Sequence, residues 1–206
     1  AISGVACFIK AIRLAQFHEP SLKEKIPFLV GIICGGVKSR FYTQYLAQKT
    51  GATNHFKFPQ YRIKNIGSSA GDYSFGCIDS ETNMAKTIRM QTVGDMWGTG
   101  LFKANACDFC DDTTTELADI SVGDAWIKPY HLDGKGTNLF VTRSLLADKL
   151  IKEGFQKKKI KIDIIKLEEF LKSQKGSFNH RHTGLSYRIK LAKKKKIHAR
   201  EGKEDK

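Results

Sequence analysis

Nothing in these 206 residues approaches the roughly 18–20 consecutive apolar residues that a membrane-spanning helix requires, so no membrane span is expected. The opening Ala1-Ile2-Ser3-Gly4 has neither an initiator methionine nor a basic stretch leading into an apolar one. It reads as a chain entered midway, with an upstream region missing, rather than as a signal peptide. No internal repeat or low-complexity block interrupts residues 1–189, which sets solenoid architectures aside. No G-x-G-x-x-G stands in a strand-helix-strand setting, so a Rossmann dinucleotide site is unsupported. A Ser-His-Asp triad and a paired-carboxylate hydrolase site both lack convergent spacing. Acidic residues are scarce as well: 21 against 35 Lys and Arg, for a net charge of +14. Part of that excess is local, since Lys190–Lys206 holds eight basic and three acidic residues. That segment is expected to be a flexible basic tail, or a docking arm for an acidic partner. The remaining excess suits phosphate-bearing ligands or an acidic electron carrier, and RNA equally well.

What the chain does have is a hydrophobic share of 41%, enough for a real core. The expected organisation is one domain over residues 1–189 followed by the tail. Phe8, Ile9, Ala11, Ile12 and Ala15 recur at helical spacing, predicting a helix from about Cys7 to the turn at His18-Glu19-Pro20. Residues 26–33 read as a strand buried on both faces, running straight into Cys34-Gly35-Gly36. A helix over about 38–49 follows, with Gly51 as its terminator. Strands are predicted over 56–63, with Pro59 marking an edge or bulge, and over 73–79, 87–92, 117–124 and 139–142. A helix over about 145–153 and another over 167–173 flank a predicted late strand through Ile160, Ile162, Ile164 and Leu167. This order implies a mixed α/β fold, a mixed sheet with flanking helices. Trp97 and Trp126 read as core or rim aromatics.

Five cysteines without a secretory signal point to a reducing, cytoplasmic compartment, where thiols act as ligands or nucleophiles. Cys107-Asp108-Phe109-Cys110 is a C-x-x-C pair, whose turn lets two thiolates converge on one metal and leaves backbone N–H groups free to point at sulfur. Asp108, Asp111 and Asp112 crowd the pair and oppose thiolate formation, which disfavours a redox disulfide. Cys7 and Cys34 stand at element boundaries with small neighbours that let backbone approach a bulky centre. Four thiolates suit a 4Fe–4S cluster or an all-thiolate zinc site; the plainer reading makes Cys7 and Cys34 small core residues. Cys77, inside a strand, reads as packing. A zinc-stabilised nucleic-acid-binding protein is the rival from another class, but the aromatics fall mostly in apolar-periodic segments rather than beside basic ones, so nucleic acid is not the expected partner.

Several segments together resemble the coenzyme F420 hydrogenase/dehydrogenase beta-subunit family, chiefly its C-terminal domain. They are Gly4-Val5-Ala6-Cys7, Gly31-Ile32-Ile33-Cys34-Gly35-Gly36-Val37-Lys38-Ser39, the C-x-x-C pair followed by Ala118-Asp119-Ile120-Ser121-Val122-Gly123-Asp124-Ala125-Trp126, then Gly134-Lys135-Gly136-Thr137-Asn138 and Ser173-Gln174-Lys175 with His180-Arg181-His182. Ala6 departs from the family, which usually has proline there. The resemblance implies an oxidoreductase module carrying a 4Fe–4S cluster and FAD, with Cys7, Cys34, Cys107 and Cys110 as cluster ligands. It also implies electron relay toward the deazaflavin coenzyme F420 or another small-molecule acceptor, with a redox partner subunit or ferredoxin-like carrier. For the flavin, Gly35, Gly36, Lys38 and Ser39 offer N–H groups and a cation at a helix start, although the same residues make an ordinary strand-to-helix turn. Arg62, Lys64 and Asn65 lead into a glycine-rich loop and read either as flavin contacts or as surface charge. Asp124 is placed to accept a hydrogen bond from flavin or ribose, or to cap a turn. His180, Arg181 and His182 read as a phosphate-facing cluster or as a solvated loop.

Overall fold

The structure is a computed structural model and describes residues 1–96 and 98–194; Trp97 and most of the basic tail, residues 195–206, lie outside the described residues. The chain opens with a short strand β1, Ile2–Val5, which the hydrophobic pattern alone does not reveal. Helix α1, Ala6–His18, follows directly. Its period-3.6 apolar stripe places Ile9, fully buried, against Leu29 and Ala118. After the single turn α2, Leu22–Lys25, strand β2, Leu29–Ile32, runs parallel to β1. The apolar run 26–33 yields a strand of only these residues. Ile32 is 46% exposed, so the strand is not buried on both faces as predicted.

Helix α3, Arg40–Lys49, leads to a three-stranded antiparallel sheet of β3 (Phe56–Lys64), β4 (Tyr73–Asp79) and β5 (Ala85–Arg89). The β3–β4 register slips on both sides of Gln60, next to Pro59, which has no N–H to give the ladder. The predicted strand over 87–92 ends at Arg89, where the one-turn helix α4, Met90–Val93, begins. A 3₁₀ turn, Asn105–Phe109, carries Cys107.

Strand β6, Ile120–Asp124, then inserts beside β2 in parallel, and β7, Asn138–Thr142, pairs antiparallel on its outer side. The resulting four-stranded mixed sheet has the order β1-β2-β6-β7. Two sheets therefore share the mixed α/β fold. Helix α5, Leu145–Gln156, is capped by the Ser144 hydroxyl, which accepts from the Ala147 N–H at 3.2 Å. The predicted strand through Ile160, Ile162 and Ile164 does not form. Alternation supplies two faces but no neighbour to ladder against: Ile160 folds back on Gly154, and Ile164 is 99% exposed. Helix α6, Leu167–Ser173, and the short α7, Lys175–Phe178, pass into a π-helical turn, Asn179–Thr183, and then α8, Leu185–Lys194. The start of the basic tail is thus helical through Lys194.

Candidate functional site

Three adjacent parallel strands bring their carboxyl ends to one edge of the sheet, where α/β folds place their ligands. Cys7 opens α1 just beyond β1, Cys34 lies just beyond β2, and Asp124 closes β6. Their places at element ends are legible in the sequence; strand order is what sets those ends side by side.

The C-x-x-C turn is brought to the same edge by a short antiparallel bridge between Lys38 and Lys103. The Ser39 N–H donates to the Phe102 carbonyl at 2.8 Å and the Ala104 N–H to the Val37 carbonyl at 2.9 Å. Beyond the pair, Thr113, Thr114 and Thr115 are all buried. The Thr115 hydroxyl donates to the Ile32 carbonyl at 2.7 Å, and the Ser121 hydroxyl donates to the Thr115 carbonyl at 3.1 Å. Arg143, missed in the sequence, adds bonds to Ser121 Oγ at 2.7 Å and Thr114 Oγ1 at 3.0 Å. This polar shelf fastens the cysteine turn to β2 and β6.

Two sulfurs receive backbone N–H groups: Gly36 donates to Cys34 Sγ at 3.3 Å and Val37 to Cys107 Sγ at 3.4 Å. Gly36 has φ +126°, and a Cβ there would stand 3.0 Å from the Lys103 side chain, so both conformation and space call for glycine. Burial pushes the Cys34 thiol up. The Gly36 N–H and Arg181 pull it down, while Cys107 and Cys7 stand near enough to add repulsion. Cys107 and Cys7 thus both lie near Cys34, and a Cβ at Gly36 would stand 3.7 Å from Cys107 Cβ. Cys110 turns its thiol toward the Asp112 carbonyl, at 3.7 Å. Cys77 is buried in the apolar core of the three-stranded sheet, as its strand position suggested. Among the described residues no three Cys, His, Asp or Glu side chains stand close enough to grip a single metal ion. A four-iron cluster holds its thiolates farther apart, around a larger body, and prefers sulfurs that accept N–H bonds. The donor set of Cys7, Cys34 and Cys107 fits the chemistry of such a group, and Cys110 closes the same turn that carries Cys107.

Beside the cysteines opens a cleft of about 900 Å³, lined among others by Gly35, Arg62, Lys103, Asp124, Trp126 and Arg181. Arg62 donates to Asp124 Oδ2 at 2.9 Å, and its guanidinium lies 5.1 Å from the Tyr73 ring centre and 5.9 Å from that of Trp126. The Asp124 strand end is pinned from below: Gln174 Nε2 donates to the Asp124 carbonyl at 2.8 Å, and the Trp126 N–H to Ser173 Oγ at 2.8 Å. A smaller pocket of about 340 Å³ is lined by Lys38, Ser39, Tyr42 and Tyr61, and shares Arg62 and Tyr73 with the large cleft. Lys38 Nζ donates to the Met96 and Leu101 carbonyls, each at 2.6 Å. Lys64 donates to the Lys135 carbonyl and Asn65 to Asp72, so these two candidates are engaged in holding loops.

The segment His180-Arg181-His182 is no solvated loop. It is the π-helical turn, with Arg181 buried and lining the cleft. Lys103 and Arg188 escaped the sequence reading because no local spacing marks them. Lys103 Nζ lies 2.5 Å from Asp108 Oδ1 and 3.1 Å from His180 Nε2, and Arg188 Nε donates to the Asp108 carbonyl at 2.7 Å. Burial, reinforced by Lys103 and Arg188, pushes the His180 pKa down, so the imidazole is neutral near pH 7.

The family model that describes the C-terminal region of the coenzyme F420 hydrogenase/dehydrogenase beta chain matches residues 1–168. No curated protein matches the chain. Among solved structures, a chain of the xenon-derivatised F420-reducing NiFe hydrogenase complex from Methanosarcina barkeri is similar in fold, with a TM-score of 0.51 and 18% sequence identity. The likeness covers 92% of this chain and 61% of that one, so the present chain spans about three-fifths of its length.

Proposed function

Since the chain belongs to the coenzyme F420 hydrogenase/dehydrogenase beta-subunit family, through its C-terminal region, we propose that it is an electron-relay module holding a 4Fe–4S cluster and FAD. The observation that carries this reading is the meeting of Cys7, Cys34 and Cys107 at the carboxyl edge of three parallel strands, beside a large basic cleft. When bound, the cluster supplies one-electron transfer, and the flavin links single electrons to hydride chemistry. Cys7, Cys34, Cys107 and Cys110 hold the cluster; the Gly36 and Val37 N–H groups stabilise the charge on Cys34 and Cys107.

In the cleft, Gly35 lets a ligand approach the backbone next to Cys34. Arg62 and Asp124, locked to each other and backed by Tyr73 and Trp126, orient a planar ring system and a ribose. Gly36, Lys38 and Ser39 shape the strand-to-helix turn, while Lys64 and Asn65 hold the loop walls. The acceptor is coenzyme F420 or another small molecule, and electrons arrive from a redox partner or ferredoxin-like carrier. Five free thiols suit this chemistry to the reducing cytoplasm.

The test is anaerobic purification followed by iron, sulfide and flavin quantitation. The expected sample is brown, with about four irons and four sulfides per chain and absorbance near ~400 nm that bleaches on reduction. Cys34→Ser and Cys107→Ser should each strip the iron. A colourless protein with one zinc per chain would overturn the cluster and favour the zinc-stabilised rival instead.

A further inference from the structure

Arg181 occupies the π-helical turn Asn179–Thr183, and such wide turns recur at functional sites. The residue is 3% exposed. One amine, Nη2, donates to the Cys34 carbonyl at 2.5 Å. The other, Nη1, is buried with no hydrogen-bond partner among the described residues. A guanidinium stays charged at any working pH, and leaving one of its donors buried and unmatched is costly. Nearby carboxylates do not answer it. Asp108 is taken by Lys103, at 2.5 Å, and Asp124 by Arg62, at 2.9 Å. Lys103 and Arg188 add further positive charge on the same side of the cleft. The region around Cys34 is thus built with an excess of fixed cations and a spare buried donor on a residue that lines the cleft.

Thiolates bound to a metal cluster remove that mismatch. We propose that Arg181 is the counter-charge of the cysteine-held cluster, a positioning residue that fixes Cys34 through its carbonyl and raises the cluster's reduction potential. This rests on the four-cysteine reading above and names a residue outside the ligand set. The physical basis is simple. Reduction adds one electron, supplied by the carrier or by a chemical reductant, and so one negative charge at the site. A fixed cation in a partly desolvated setting favours the reduced form over the oxidised one.

The experiment is a dithionite titration of the anaerobically purified full chain, followed by electron paramagnetic resonance, with iron content measured on each sample. Arg181→Gln removes the charge but keeps an amide able to donate to the Cys34 carbonyl; Arg181→Lys keeps the charge. At a fixed solution potential the ratio of reduced to oxidised cluster should fall about tenfold in the Gln variant, a downward shift of about 59 mV for one electron. The Lys variant should stay within about threefold of the parent. Loss of iron in the Gln variant alone would support the same role, as a charge needed for assembly. An unshifted Gln variant, equal shifts in both variants, or loss of iron in both would overturn the inference while leaving the four-cysteine reading standing. A parent chain without iron would overturn both.

Discussion

Around the three-stranded sheet lies one continuous apolar cluster, with the buried carboxylates Asp72 and Asp79 only at the two ends of β4: Tyr42, Leu46 and Ala47 of α3 close over Phe75, Cys77 and Met90. Beside the four-stranded sheet the connected apolar cluster is smaller, Ile9, Leu29 and Ala118, and the interior also holds Gln16, Thr113, Thr115, Ser121 and Arg181. These polar groups are tied down mostly by bonds that fix loops: Gln16 to the Ile26 carbonyl, Thr115 to that of Ile32, Arg181 to that of Cys34. One sheet supplies stability through area removed from water. The other accepts desolvation costs in return for holding its loop segments in register. The same residue type shows the contrast. Cys77 has a hydroxyl neighbour, Thr50, at 3.9 Å and otherwise apolar company, whereas Cys34 has a backbone N–H, a guanidinium and two further thiols around it.

Exchanging cysteines is the strongest way to break this contrast. Cys34→Ser should abolish iron binding, whereas Cys77→Ser should retain all of it and lower only the melting temperature. Iron measured in both variants decides the matter; loss of iron from Cys77→Ser would mean that the apolar sheet is part of the metal site. A crossed pair comes next. Phe75→Ala should cost about 3–5 kcal/mol of unfolding free energy while the surviving folded protein keeps its iron. Gly31→Ala should cost less, about 1–3 kcal/mol, because its Cβ would fall 2.6 Å from Thr115 Cγ2 and 2.8 Å from Ala118 Cβ. Yet it pushes on the shelf that carries the cysteine turn, so iron occupancy should drop. Denaturant unfolding together with iron analysis would show the two losses running in opposite order.

The division between the two sheets also explains what could be read from the sequence. Elements governed by local pattern were legible: α1, α3 and α5, β4, and the irregularity at Pro59. The boundary positions of Cys7 and Cys34 were legible too, because each follows directly on an element end. What depends on a distant partner was not. β1 is four residues long and exists only because β2 lies beside it. Ile160, Ile162 and Ile164 alternate as well as any strand, but among the described residues no neighbour pairs with them. Lys103, Arg143 and Arg188 carry no local signature; each also reaches a partner some 20 to 80 positions away in sequence. The mixed sheet was expected, but its strand order was not legible: β6 takes the place beside β2, and β3, β4 and β5 form a sheet of their own.

The mildest test sharpens the contrast through pH. The three-stranded sheet is clamped by two buried carboxylates. Asp72, just before β4, accepts from both Arg89 Nε and Nη2 and from Asn65 Nδ2. Asp79, at the end of β4, accepts from the backbone N–H groups of Thr53 at 2.6 Å, Thr82 at 2.9 Å and Glu81 at 3.0 Å. The Arg89 and Ser68 bonds hold the Asp72 carboxyl far below the usual range, and the Thr53 and Thr82 N–H groups do the same for Asp79. A carboxyl depressed on folding binds fewer protons in the folded state than in the unfolded one. Its stabilisation is therefore complete above the ordinary aspartate value of 3.8 and is lost progressively as the pH falls through the folded-state value. Stability should be flat with respect to these two groups down to about pH 5 and should decline below about pH 4. Amide exchange along β4 and β5 should rise there. Asp79→Asn should be less stable at neutral pH, since its amide cannot serve three donors as a carboxylate does, but its decline below about pH 4 should be shallower. An unchanged acid slope in that variant would remove Asp79 from the clamp and leave Asp72 with Arg89 as the acid-sensitive pair.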